Sequence, residues 1–157
     1  MYRNINNYYF SRPNYSRYVV YFSNPSSDII SIIESKPYTD FPGHRASKSE
    51  IKKAEKVLGT KFSDEYKSYL SNFGPGAIHG SEFMGLGPVD RLNVVKQTQT
   101  AHAENPEIPS GWYLVEDLGI DGALVWQAPS GELYQSLPGN PVRKVSNSLS
   151  EYINKLN

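Results

Sequence analysis

The chain has 157 residues, 16 Lys plus Arg against 16 Asp plus Glu, and no cysteine. That length suits one domain with a real core, while the balanced charge removes any whole-molecule pull toward nucleic acid or anionic membrane, and the missing cysteines exclude disulfides and zinc–thiolate sites. No apolar run approaches the roughly 20 residues that cross a bilayer, and no signal-peptide pattern opens the chain, so the expectation is a cytoplasmic protein without membrane contact.

The first stretch, MYRNINNYYFSRPNYSRYVVYFS, is rich in tyrosine and asparagine and carries Arg3, Arg12 and Arg17 with no acid before Asp28. Residues 1–27 read as an aromatic, basic extension with strand-like composition at YSRYVVYF. Three arginines neutralise too few phosphates for a nucleic-acid arm. Residues 28–157 are then expected to form a single domain. SSDIISIIESK reads as a short helix, capped by Ser27 or Asp28, burying Ile29, Ile30, Ile32 and Ile33, and stopped by Pro37. In SKSEIKKAEKVLG, Ser47 and Glu50 stand in capping-box register, Ile51, Ala54 and Leu58 share a face, and Gly59 is placed for a left-handed cap. FSDEYKSYLSNFG starts at Ser63, with Asp64 and Glu65 in its first turn, and aligns Tyr66, Tyr69, Leu70 and Phe73. The short link makes the two an αα-hairpin.

GPGAIHG and a short extended piece, Phe83 to Leu86, come next. NVVKQTQTAHAE is a weaker helix that Asn93 is placed to cap. GWYLVED, GALVWQAP and GELYQS then form a three-stranded antiparallel meander, turned at Asp121-Gly122 and Ser130-Gly131. SLSEYINKL closes the chain as a helix, with Ser148 and Glu151 again in capping-box register.

Residues 47–88 resemble the N-terminal motif of the SUKH superfamily, through Glu55, Leu58, Gly59, Phe62, Glu65-Tyr66, Leu70, Phe73, Gly74 and Gly76. Ser63 stands where that family often has proline. The stretch IPSGWYLVEDLGIDGALVWQ is similar to the family's central strands, and the likeness covers roughly residues 28–156. It implies an α+β fold with a central antiparallel sheet flanked by helices. It also implies an immunity protein that binds and neutralises the C-terminal toxin domain of a polymorphic toxin, often a nuclease. The alternative it implies is a scaffold in cell-wall regulation. Neither brings a cofactor, a metal or catalysis.

The remaining chemistry agrees with a binding protein. GPGAIHG lacks the Lys-Ser/Thr of a phosphate loop, and no helix is signalled directly after it. His44, His79 and His102 have no ligand partner at helical or strand spacing. An enzyme built on the glycine corner and His79 would need a carboxylate beside that histidine. From Gln97 to Val142 the chain carries Glu104, Glu107, Glu116, Asp117, Asp121 and Glu132 without a Lys or Arg. Strand alternation sets Trp112, Leu114 and Glu116 against Tyr113, Val115 and Asp117. The predicted partner-binding set is therefore Trp112, Tyr113, Glu116, Asp117, Asp121, Glu132 and Tyr134, an acidic, aromatic surface able to occupy a nuclease's basic cleft. Oligomeric state stays open between a monomer and a weak dimer, with YSRYVVYF available as an added edge strand.

Overall fold

The computed structural model describes residues 25–157. The extension expected over residues 1–27, with its strand-like YSRYVVYF, lies outside the described residues up to Asn24. Helix α1 spans Pro25–Ser35, α2 Lys48–Leu58, α3 Asp64–Asn72, α4 Val94–Glu104 and α5 Leu149–Asn154. Strands β1 Gly76–Ile78, β2 Ser81–Phe83, β3 Tyr113–Asp117, β4 Leu124–Gln127, β5 Leu133–Ser136 and β6 Arg143–Ser146 form one antiparallel sheet in sequence order. This is an α+β fold. No helix among the described residues is long and apolar enough to cross a membrane.

Local chemistry sets the helix ends. Ser47 and Glu50 close a reciprocal capping box on α2, and Gly59 ends it at φ 65° in the left-handed region. Ser63 accepts from the Tyr66 N–H at the start of α3, and Asn93 accepts from Val95 and Lys96 at the start of α4. At α5 the Ser148 hydroxyl takes the Glu151 N–H, while the Glu151 carboxylate reaches back to the Asn147 N–H instead of the cap's own. Helix α1 begins at Pro25, earlier than the Ser27 or Asp28 cap expected, because proline is preorganised for the first helical position.

The sheet has two covered faces. Tyr113 and Gln127 are paired, as are Leu114 and Trp126, so these two pairs point to opposite sides. On one side lies α4: Thr98 accepts the Leu114 N–H and the His102 ring lies 4.9 Å from Trp126. On the other side Tyr113 meets Phe62 at 4.7 Å and stacks on Tyr66 at 5.2 Å, and Tyr69 meets Phe83 at 6.3 Å. These rings are fully or almost fully buried. Their hydroxyls keep partners: Tyr66 donates to the Met84 carbonyl, and Tyr113 accepts from the Ser63 N–H while donating to Gln127. Burial holds both hydroxyls well above the usual tyrosine range, so they remain donors.

Glu55 belongs to this layer. It is 3% exposed, and its Oε1 accepts the Phe62 N–H at 2.9 Å while Lys67 and Lys61 approach at 3.3 and 3.5 Å. Desolvation would raise its carboxyl, but the Phe62 amide and the two lysines outweigh that and hold it below the usual range.

The glycine corner is a close approach of three chain segments. A Cβ on Gly74 would stand 2.0 Å from the His44 carbonyl oxygen, and one on Gly76 would stand 2.4 Å from that of Asp40. Gly74 also has φ 79°. No room for a phosphate exists where backbone already fills the space.

The strands depart from expectation in three places, one being β6, a fourth strand beyond the three-stranded meander expected. The extended piece expected from Phe83 to Leu86 lies earlier, at Ser81–Phe83, and forms a two-residue hairpin with β1 through His79-Gly80. The strict alternation expected along β3 is broken by a bulge between Leu114 and Glu116. The extra residue turns Glu116 to the same face as Tyr113 and sets Asp117, paired with Leu124, on the face of Trp126.

Candidate functional site

A cleft of about 720 Å³ opens at one end of the sheet. Its walls come from the β1–β2 turn, through Gly80, Ser81 and Glu82, and from the β3–β4 connection, through Asp117, Gly119, Ile120 and Asp121. Gln135 and Leu137 border it from β5 and beyond, and Glu116 lines its interior. The β3–β4 connection takes its shape from Asp121 and Gly122, at φ 51° and 71°, inside a turn closed by the Ala123 N–H to the Ile120 carbonyl. Two successive positive φ angles define a type I′ turn, for which Asp-Gly is a favoured pair. Asp117 secures the approach by accepting the Gly119 N–H at 2.8 Å.

Glu116 is 2% exposed. The Tyr152 hydroxyl from α5 donates to it at 2.6 Å, and Ser81 also donates to it. Burial raises its carboxyl above the usual range, and neighbouring Asp117 pushes the same way, against the two hydroxyl bonds. Burial and the neighbouring Glu116 likewise raise the Tyr152 hydroxyl. No cation among the described residues forms an ion pair with Glu116, Asp117 or Asp121. Glu82 differs: Arg91 grips it through two bonds, at 2.5 and 2.8 Å, and holds its carboxyl below the usual range.

The seven residues predicted to form one surface do not lie together. Glu116, Asp117 and Asp121 share the cleft. Trp112 and Tyr134 are half-buried and stack on each other, with ring centroids 4.1 Å apart. Glu132 lies at the β4–β5 turn, where Ser130 donates to its carboxylate and keeps it below the usual range. Two expectations of exposure need correction. Tyr113 is wholly buried because its side of the sheet is covered by Phe62 and Tyr66, and Glu116 is buried because the bulge turns it toward α5. Alternation along one strand cannot reveal such an inserted residue. Sequence reasoning also misses Ser81, Tyr152 and Ile120. Ile120 is 67% exposed on the rim. Its only signal in the sequence is an isoleucine immediately before an Asp-Gly turn.

The histidines form no acid–base pair at the cleft. His44 bonds Glu50 at 2.6 Å, and His102 donates to the Trp112 carbonyl at 2.8 Å. His79 sits in its turn at φ 48°, with its ring 5.8 Å from Tyr38 and its buried Nδ1 without a hydrogen-bond partner among the described residues. No group of three or more His, Cys, Asp or Glu among the described residues is placed to hold a metal ion.

The family description SUKH_5, SMI1-KNR4 cell-wall, matches residues 26–156. The chain belongs to this SUKH family. A search of curated proteins finds no match to it. The matched span takes in all of α2 to α5 and the whole sheet, so buried Glu55, the glycine corner and the open cleft around Glu116 all lie within the SUKH domain.

Proposed function

We propose that this SUKH protein is a cytoplasmic immunity protein that binds the C-terminal toxin domain of a polymorphic secreted toxin, a nuclease, and blocks it sterically and electrostatically. The observation that carries this reading is the cleft: Asp117 and Asp121 stand exposed, no described cation pairs with them, and the exposed Ile120 stands beside them. In the same cleft wall Glu82 is neutralised by Arg91, and outside the cleft Asp90 and Glu151 each hold a lysine. Unpaired acids around an apolar anchor suit a basic, phosphate-binding surface on a partner. SUKH domains are in general immunity or scaffold proteins, which supports a binding role over a catalytic one. The family's cell-wall description favours a second reading, a non-catalytic scaffold in envelope synthesis.

Affinity capture from the source cell, with the partner identified by mass spectrometry, separates the two. Near-stoichiometric recovery of a toxin domain, followed by protection of cells expressing that domain, supports immunity. Recovery of envelope-synthesis proteins moves the assignment to the scaffold. With the partner in hand, Asp117→Lys/Asp121→Lys is expected to slow association by roughly tenfold or more at low salt. Unchanged rates in the folded double variant would remove the cleft from the interface.

A further inference from the structure

A second charged groove lies between α2 and α3, with a volume of about 730 Å³. Lys48, Lys52, Lys61 and Lys67 line it, with Ser68 and Ser71 beside them. The apolar surface comes from Ile51, which is 5% exposed, and from the lysine stems. Among the described residues only two acids reach it, Glu55 and Asp64. Glu55 is largely committed, since its carboxylate already serves the Phe62 amide and both Lys61 and Lys67. Lys48 and Lys52 are exposed and form no ion pair with a described residue. The groove therefore sets four lysines against two acids, an excess of positive charge in a molecule of zero net charge.

We infer that this groove is a binding site for an extended, acidic peptide segment of a protein partner. Lys48 and Lys52, point charges on flexible stems beside the Glu55-paired Lys61 and Lys67 and without an arginine fork, suit carboxylates spaced along a strand. In an extended peptide, alternate residues fall on one side, so acids can meet the lysine heads while their neighbours lie against the lysine stems. Inorganic phosphate is the poorer fit. Such anions favour free amides at a helix N-terminus. Here the Ser47–Glu50 box occupies the start of α2, Ser63 occupies that of α3, and Asp64 adds a repelling charge. This site is distinct from the acidic cleft and does not depend on the identity of its partner.

The test is a titration of the ¹⁵N-labelled full chain, followed by amide shifts, with the probe acetyl-Glu-Ile-Glu-Leu-Glu-amide. Pentalysine and pyrophosphate serve as comparison probes. Shifts confined to residues 48–71 are expected, with affinity falling roughly tenfold as salt rises from about 50 to about 300 mM. Lys48→Glu/Lys52→Glu should weaken the acidic probe by roughly tenfold or more, while Lys48→Arg/Lys52→Arg retains it. Asp121→Lys should leave it unchanged. Both lysine positions are exposed, so folding is expected to survive and is checked by circular dichroism. Shifts scattered over Lys144 and Lys155, equal binding of pyrophosphate at the same amides, or no response to the double reversal would each overturn the site.

Discussion

Glu55 and Glu116 are buried to nearly the same degree and held in opposite ways. Glu55 has a backbone amide and two lysines, and these keep it ionised. Glu116 has two hydroxyl donors, an acidic neighbour and no described cation, so burial drives it toward its protonated form. The backbone differs between the two regions as well. At the glycine corner beyond α3, chain segments close on one another with no space left, whereas Glu116 forms the inner surface of an open cleft. A buried carboxylate whose charge lysines answer stays ionised, whereas one held by hydroxyls alone binds its proton more tightly.

The contrast breaks most visibly at glycine. Gly74→Ala combines a left-handed φ with a backbone clash at His44 and should cost at least about 3 kcal/mol in chemical denaturation. Gly119→Ala, at φ 66° with nothing within 4 Å of its added Cβ, should cost only about 1 kcal/mol. Equal losses would mean that the corner is no tighter than the cleft wall.

The carboxylates themselves come next. Glu55→Ala strands the buried Phe62 N–H and should cost about 2 to 3 kcal/mol. Glu116→Gln keeps an acceptor for Tyr152 and should change stability by less than about 1 kcal/mol near neutral pH, measured as the shift in urea midpoint.

Their pH dependences have opposite signs. Glu116 binds its proton more tightly folded than unfolded, so its contribution improves as pH falls from above its raised value toward the ordinary 4.5. Glu55 and Glu151 hold lowered values, so their contributions are present above 4.5 and are lost below it, for Glu151 down to about 2. Denaturation midpoints from pH 3 to 8 should therefore lose only the upper slope in Glu116→Gln and keep the acid-side loss. The smallest effect belongs to Ile120→Ser. It should leave stability within about 0.5 kcal/mol while weakening partner binding, as read by calorimetry on the captured complex.

The scaffold is more legible in the sequence than the site is. Caps at Ser47, Ser63, Asn93 and Ser148 and the glycine stop at Gly59 are local rules, and the helices follow them. The meander is readable from its turns, but β6 is not, because Arg143 and Lys144 disguise an edge strand as a polar loop. The β1–β2 hairpin is hidden by three-residue strands and by a histidine where a type I′ turn ordinarily has Asn or Asp. At the cleft, an acidic stretch can be seen, but not its division. The bulge that buries Glu116 and the hydroxyls that hold it come from tertiary contact, and no periodicity encodes them.

The interior of the cleft also has a place in time. Glu116 and Tyr152 stand 36 residues apart in the chain, and Tyr152 belongs to the final helix. The neighbouring strands and Ser81 meet Glu116 through parts of the chain that precede α5, whereas the Tyr152 hydroxyl reaches it only when α5 packs against the sheet. The capping of Glu116 is thus a late, long-range contact, and the carboxylate is fully held only once α5 has docked on the sheet.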